Sequence, residues 1–322
     1  MTRLAFLGPR ATFTEQALHQ LPESDGARLL PCTTTTSALA AVRAGEADMA
    51  CVPIENSVEG GVPAVLDSLV TDPPLVIAAE TQLAVRFALL ARHGTALADV
   101  RSVASHPHGE AQTRHWLAAN LPEATVLMSS STAEAAATVA RGELDASVSA
   151  PVAAGVHGLA VLADDIADQA AAVTRFVLVR PPGPPPEPTA LDRTTLAATT
   201  ENVPGALLGV LTELSVRGID LTRIESRPIK GRRGDVQEYW FHLDCTGHVA
   251  RPAMGEALAA LHRRCLRVRY LGSYPRSAAP DAATPPNSPG AGGLAPVCAD
   301  PGAERYAAAS AWLDGVRAGT LA

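Results

Sequence analysis

Apolar and polar positions along the chain fall into blocks that switch repeatedly between strand and helix periods. The apolar segment ending at Phe6-Leu7 is broken by Gly8-Pro9, after which a helix opens; Ala104-Ser105-His106-Pro107 does the same, residue 104 lying 98 positions beyond residue 6. The helix end and following strand at Ala41–Asp48 recur at Thr138–Asp145, a spacing of 97. Hydroxyl and carboxylate three residues apart, Thr12 with Glu15 and Ser131 with Glu134, mark helix starts in both halves. This doubled plan predicts two α/β lobes, and ligand binding between them, where helix N-termini converge and favour anions.

Pro181-Pro182-Gly183-Pro184-Pro185-Pro186-Glu187-Pro188 then supports neither helix nor sheet and predicts a stiff linker over 181–190. Beyond it the pattern reads as a strand at Thr194–Thr199 and a helix at Gly205–Arg217 closed by Gly218. Strands at Ile219–Arg227 and Gln237–Cys245 pair around the Lys230–Gly234 turn, followed by a helix at Met254–Arg264 and a strand at Arg267–Leu271. The order βαββαβ predicts a small ferredoxin-like domain over 191–276. Residues 277–322 form a low-complexity tail whose only periodic stretch is a short helix at Tyr306–Val316, so its removal is expected to change little. Cutting after Arg180 is expected to leave 1–180 folded on its own.

Composition narrows the chemistry. With 322 residues, 47% hydrophobic and 18% charged, the chain is long enough for more than one packed domain. No apolar run approaches the ~18 residues of a membrane span. The start lacks a signal-type segment, so a cytoplasmic location is expected. The net charge of -7 is uneven: residues 1–189 carry 11 Arg against 20 Asp plus Glu, and residues 190–276 carry 13 Lys plus Arg against 9. The acidic first part argues against nucleic acid. Lys230, the only lysine, lies in a turn, which argues against lysine-imine chemistry. Five scattered cysteines and nine histidines show no metal-ligand or disulfide spacing and predict reduced thiols.

Three stretches could carry a site. Gly8–Glu15 leaves a strand and starts a capped helix, where N–H groups and Thr side chains could hold a carboxylate; an ordinary helix cap would look alike. Cys51–Val62 is an apolar strand running into Glu55, Asn56, Ser57 and glycines, as a plain strand-to-loop transition also would. Val173–Val179 embeds Arg175 in a strand, which costs several kcal/mol if buried without an anion and nothing if the strand is an exposed edge.

In this order the stretches resemble the prephenate dehydratase family over nearly all of 1–276. The resemblance rests on Gly8-Pro9 with Thr12-Phe13-Thr14-Glu15, Pro53-Ile54-Glu55-Asn56-Ser57 with Gly60, Ser105-His106-Pro107, and Thr174-Arg175-Phe176. Asn202-Val203-Pro204-Gly205-Ala206-Leu207 and Glu225-Ser226-Arg227-Pro228 are similar to the ACT regulatory domain of that family. The resemblance implies a two-lobed, periplasmic-binding-protein-like α/β catalytic domain over 1–180, an ACT domain over 191–276, and decarboxylative dehydration of prephenate to phenylpyruvate without metal or organic cofactor. It implies Thr174, Arg175 and Phe176 as catalytic, with Thr174 donating to the departing oxygen and Arg175 holding a substrate carboxylate. Thr12, Thr14, Glu55, Asn56, Ser57 and Ser105 would bind substrate. L-Phenylalanine would act as effector at Asn202, Gly205, Ala206, Leu207, Glu225, Ser226, Arg227 and Pro228, between subunits of a homodimer or homotetramer. Glu55 or a histidine would be the ultimate proton source.

The sequence departs from the family pattern at Ala11, where glycine is usual, at His108-Gly109-Glu110, and at Ala171-Ala172, where an asparagine is frequent. A non-aromatising prephenate decarboxylase and a non-catalytic phenylalanine sensor are the alternative readings.

Overall fold

The computed structural model describes residues 1–168, 172–229, 238–277 and 303–320. Ala171, Cys298, the Lys230–Gly234 turn and tail residues 278–302 lie outside the described residues.

The first lobe is built from β1 (Arg3–Leu7), α1 (Phe13–Leu18), β2 (Arg28–Cys32), α2 (Thr35–Arg43), β3 (Met49–Asn56), β4 (Gly60–Gly61), α3 (Pro63–Leu69) and β5 (Val76–Ala84). The second lobe follows as β6 (Ala88–Ala91), β7 (Ser102–Ser105), α4 (Pro107–Asn120), β8 (Thr125–Met128), α5 (Thr132–Ala140), β9 (Ala146–Ser149), α6 (Val152–His157) and β10 (Ala160–Ala163). The chain then returns through β11 (Val173–Arg180) to the first sheet, whose order is β2-β1-β3-β11-β5; the second sheet runs β10-β6-β9-β7-β8. The two crossings lie side by side, Val85 N–H donating to the Ala172 carbonyl at 2.7 Å.

Strands such as Leu4-Ala5-Phe6 and Cys51-Val52 are apolar without alternation and fully buried, the pattern of a sheet covered on both faces. The expected caps form: Thr12 Oγ1 accepts from Glu15 N–H at 3.3 Å, and Ser131 Oγ from Glu134 N–H at 3.0 Å. The free thiols Cys51, Cys245 and Cys265 are pushed up to about 12 by burial and stay protonated.

Beyond the linker come β12 (Asp192–Thr199), α7 (Ala206–Ser215), β13 (Leu221–Pro228), β14 (Tyr239–Thr246), α8 (Pro252–Arg264) and β15 (Arg267–Pro275), in sheet order β13-β14-β12-β15, all neighbours antiparallel. This is the expected βαββαβ ferredoxin-like fold. Leu196, Ala198, Leu243 and Cys245 face helix residues Val210, Leu214, Met254, Leu258 and Leu261 in one core.

Contacts group the chain into two compact units: Met1–Ala38, Cys51–Gly60 and Gln82–Phe176, and Leu39–Ala50, Gly61–Thr81 and Val177–Ala322. Within the second unit, α3 and the start of β5 are packed with the ferredoxin-like sheet. Arg193 is ion-paired with Glu80 with both side chains buried, Arg227 grips Asp67 at 3.0 and 3.2 Å, and Arg269 reaches Asp72 at 2.7 Å. Gly272, at φ +132, runs so close to β5 that a Cβ would stand 2.3 Å from the Ile77 carbonyl oxygen. A cut after Arg180 would strip Glu80 of its buried cation. A chain ending at Arg180 is therefore expected to melt below the full-length protein in a thermal scan, because charges that look like surface residues in sequence meet across this packing.

The tail expectation also changes. Helix α9 (Ala303–Ala318) packs on α8, burying Ala309, Leu313 and Val316, with Trp312 stacked on His262 at 4.7 Å. The periodicity at Tyr306–Val316 marked the helix, but the face it would cover was not visible in it. Fully burying one Leu and one Val contributes about 3 kcal/mol or more. Deleting residues 303–322 is expected to lower the melting temperature by several degrees in a thermal scan; an unchanged midpoint would show that α9 adds nothing to stability.

Candidate active site

The chemistry-bearing residues gather where β3 ends beside the start of β11. Ser57 N–H donates to the Val173 carbonyl at 2.9 Å, and Val173 N–H donates back to Ser57 Oγ at 2.9 Å. Next along, Asn56 meets Thr174, and Glu55 meets Arg175. The descending and ascending numbers show that the two strands are antiparallel here. Because successive side chains alternate, Asn56 and Thr174 occupy one face of the ladder and Glu55 and Arg175 the other.

On the first face the hydrogen-bond directions are fixed. Asn56 Oδ1 accepts from Val58 N–H at 2.8 Å and Glu59 N–H at 3.2 Å, which leaves only the amide nitrogen for Thr174; Nδ2 donates to Thr174 Oγ1 at 2.8 Å. A hydroxyl that accepts from Asn56 keeps its own proton for another acceptor. Thr174 is thus set as a donor. Phe176 lies two residues on, on the same face of β11, and is buried.

On the other face Arg175, with a side chain only 6% exposed, places Nε 3.4 Å from Glu55 Oε2. The anion that a buried arginine requires is supplied by the protein itself. This settles the sequence alternatives: β11 is interior, and its arginine is paired.

The other expected site residues are placed as follows. Thr12 donates to the Leu7 carbonyl at 3.0 Å while capping α1, so its hydroxyl is engaged by the fold. Glu15 returns to accept from Ala11 N–H at 2.6 Å, so this backbone donor is claimed by the chain's own carboxylate. Thr14 is buried in α1. Ser105 is buried at the end of β7, donates to the His106 carbonyl at 3.1 Å, and lies against Gly109, where a Cβ would approach its Oγ to 3.0 Å. Ala11 adopts φ +67, a region that strains an L-residue by about 1 kcal/mol. Its buried methyl, packed with Ala88, Leu90 and Ala133 of the second lobe, returns about as much. Ala172 is likewise a buried apolar residue of the second-lobe core.

Glu59, His106, His108 and Gln112 are brought to the same region although sequence reading did not select them as a group. Glu59 reaches from the β3–β4 loop to His108 Nδ1 at 3.2 Å and Gln112 Nε2 at 3.4 Å, the latter 53 residues away in sequence. No motif spacing announces such a meeting. His106 caps α4 by accepting from His108 N–H at 3.3 Å, and its pKa is lowered by burial and by neighbouring His108. Among the described residues no group of His, Cys, Asp or Glu is arranged to hold a metal ion.

In the ferredoxin-like domain, Gly205 is the N-cap of α7 at φ +82 with open space around it, Asn202 is exposed, and Ala206 and Leu207 are half-buried. Glu225 is ion-paired with Arg223 and lies against Gly61, while Arg227 holds Asp67. The charged members of the Glu225–Pro228 motif are therefore engaged by protein partners; Ser226, on the opposite strand face, is exposed.

The profile of the prephenate dehydratase family matches residues 4–183. A prephenate dehydratase of Mycolicibacterium vanbaalenii is 51% identical over 299 residues, covering 89% of this chain and 95% of the relative. Among solved structures, the prephenate dehydratase of Arthrobacter aurescens in complex with L-Phe is 41% identical with a TM-score of 0.80, covering 98% of this chain and 99% of that one. GqqA, described as a novel type of quorum quenching acylase, is 32% identical with a TM-score of 0.75, covering 85% and 97%.

Proposed function

The chain belongs to the prephenate dehydratase family, and on that premise we propose how its residues divide the work. The activity is the conversion of prephenate and one proton, taken up by the departing oxygen, to phenylpyruvate, carbon dioxide and water. As the ring carboxylate leaves, its electron pair enters the ring and expels the C4 hydroxyl, and the gain of aromaticity drives both departures. Hydroxide is a poor leaving group, so a donor aimed at the C4 oxygen gains strength in the transition state.

The observation that carries the assignment is the Asn56–Thr174 hydrogen bond. It points the Thr174 proton away from Asn56, and donation into Oγ1 polarises the hydroxyl. Thr174 is too weak an acid to surrender its proton outright at neutral pH; it polarises the departing oxygen. Arg175 and Glu55 act from the other face, holding β3 and β11 in the register that keeps Asn56 on Thr174. Arg175 keeps its proposed role of holding a substrate carboxylate through its guanidinium fork, the edge at Nε being taken by Glu55.

Phenylalanine binds at Asn202–Leu207, with its carboxylate at the N-terminus of α7 and its approach allowed by Gly205. Exposed Val203 and Leu208 beside this start support a second copy of the chain covering the site. Glu225 and Arg227 link the same domain to β4 and α3 of the first lobe, a physical route for inhibition. The enzyme operates in the cytoplasm.

Incubating the purified protein with prephenate should yield phenylpyruvate, read by its absorbance; a non-aromatic product would indicate a decarboxylase that retains the C4 hydroxyl. Millimolar phenylalanine should lower turnover and raise the melting temperature. Gly205→Val, which forces a β-branched residue into φ +82, should abolish both effects while preserving uninhibited turnover. Inhibition of the variant at wild-type phenylalanine concentrations would remove Gly205 from the effector site.

A further inference from the structure

Glu59 joins the two lobes at a point continuous with Thr174. Its backbone N–H donates to Asn56 Oδ1 at 3.2 Å, the same oxygen that fixes the Asn56 amide. Its carboxylate crosses to the first turns of α4 in the second lobe, 3.2 Å from His108 Nδ1 and 3.4 Å from Gln112 Nε2. His108 and Gln112 are four residues apart on a helix and so share one face. A carboxylate at a helix N-terminus is also favoured by the helix dipole.

We propose that Glu59, His108 and Gln112 form an interlobe latch that holds the cleft in its substrate-binding arrangement, and that protonation of His108 tightens it. The inference rests on the reading that prephenate occupies the cleft between the lobes. The groups facing His108 are Glu59 from the β3–β4 loop, the His106 ring at 5.1 Å from the preceding turn, and Gln112 one turn on; Glu110 is engaged by Arg114 at 2.9 Å. Protonated His108 makes an ion pair with Glu59. Neutral His108 leaves a weaker hydrogen bond, so a larger fraction of molecules opens and must be reclosed by substrate. The latch changes how much of the protein is binding-competent and leaves the chemical step alone, so KM moves and kcat does not. The pair is half-exposed, and its effect is accordingly modest, about two- to fivefold.

The test compares full-length wild type with His108→Gln, Glu59→Gln and the double variant, measuring kcat and KM for prephenate across the imidazole range, about pH 5.5 to 8. Wild-type KM should rise about two- to fivefold from the acid to the alkaline end of this range. In His108→Gln this step should vanish, with kcat retained, and the double variant should be no worse than the poorer single one. Profiles that superimpose, or a loss in kcat at constant KM, would overturn the latch. Amide exchange without substrate gives a second reading: Ser57–Gly60 and the first turn of α4 should exchange faster in Glu59→Gln than in wild type. Equal exchange overturns the latch whatever the activity, whereas faster exchange in a protein that does not turn over prephenate would place the fault in the functional reading.

Discussion

Replacing Thr174 with Val lowers kcat about a hundredfold or more, with the melting temperature changed by a few degrees at most. Valine keeps the shape and the strand preference of threonine, so β11 retains its packing, and only the hydroxyl is lost. The magnitude follows from removing one preorganised donor from the place where charge develops. Asn56→Asp provides the sharper test, because a carboxylate at residue 56 can only accept. It would draw the Thr174 proton towards itself and away from the departing oxygen, so turnover should fall as far as in Thr174→Val although the threonine is intact. Turnover within a few-fold of wild type in either folded variant would remove this hydrogen bond from the mechanism.

Arg193→Met costs about 3–5 kcal/mol of stability, the largest thermal effect expected of a single substitution in the second unit. The Glu80 side chain is fully buried beside it and also accepts from Ser277 N–H at 3.1 Å. Removing the guanidinium strands a carboxylate in the interior, whereas removing both charges does not. The double variant Arg193→Met with Glu80→Leu should therefore recover much of the loss, and the cycle of four melting curves reads the coupling directly. Additive losses would show that the two side chains act independently.

Features made of neighbours in sequence were legible, and those made across the fold were not. The caps at Thr12 and Ser131 join atoms three residues apart, so composition and spacing announce them. The βαββαβ order followed from period and turn residues alone. Ala11, which the family resemblance marks as a position where glycine is usual, adopts a positive φ. By contrast, the Asn56–Thr174 bond closes 118 residues, and which strand face each side chain takes depends on the register of β3 on β11. Thr174, Arg175 and Phe176 are consecutive in the motif, and alternation along the strand puts Arg175 on the face opposite Thr174.

The sequence by itself determined the elements, the doubled lobe plan and the ferredoxin-like domain, because periodicity and local hydrogen bonding set these at short range. The tertiary structure alone decided which of those residues face one another: Arg175 with Glu55, Glu59 with His108, Arg193 with Glu80, and α9 with α8. A charge on an apolar strand and an apolar stripe on a terminal helix each require a partner. Many partners satisfy that requirement in composition, and only packing of the whole chain brings one of them within a few ångströms.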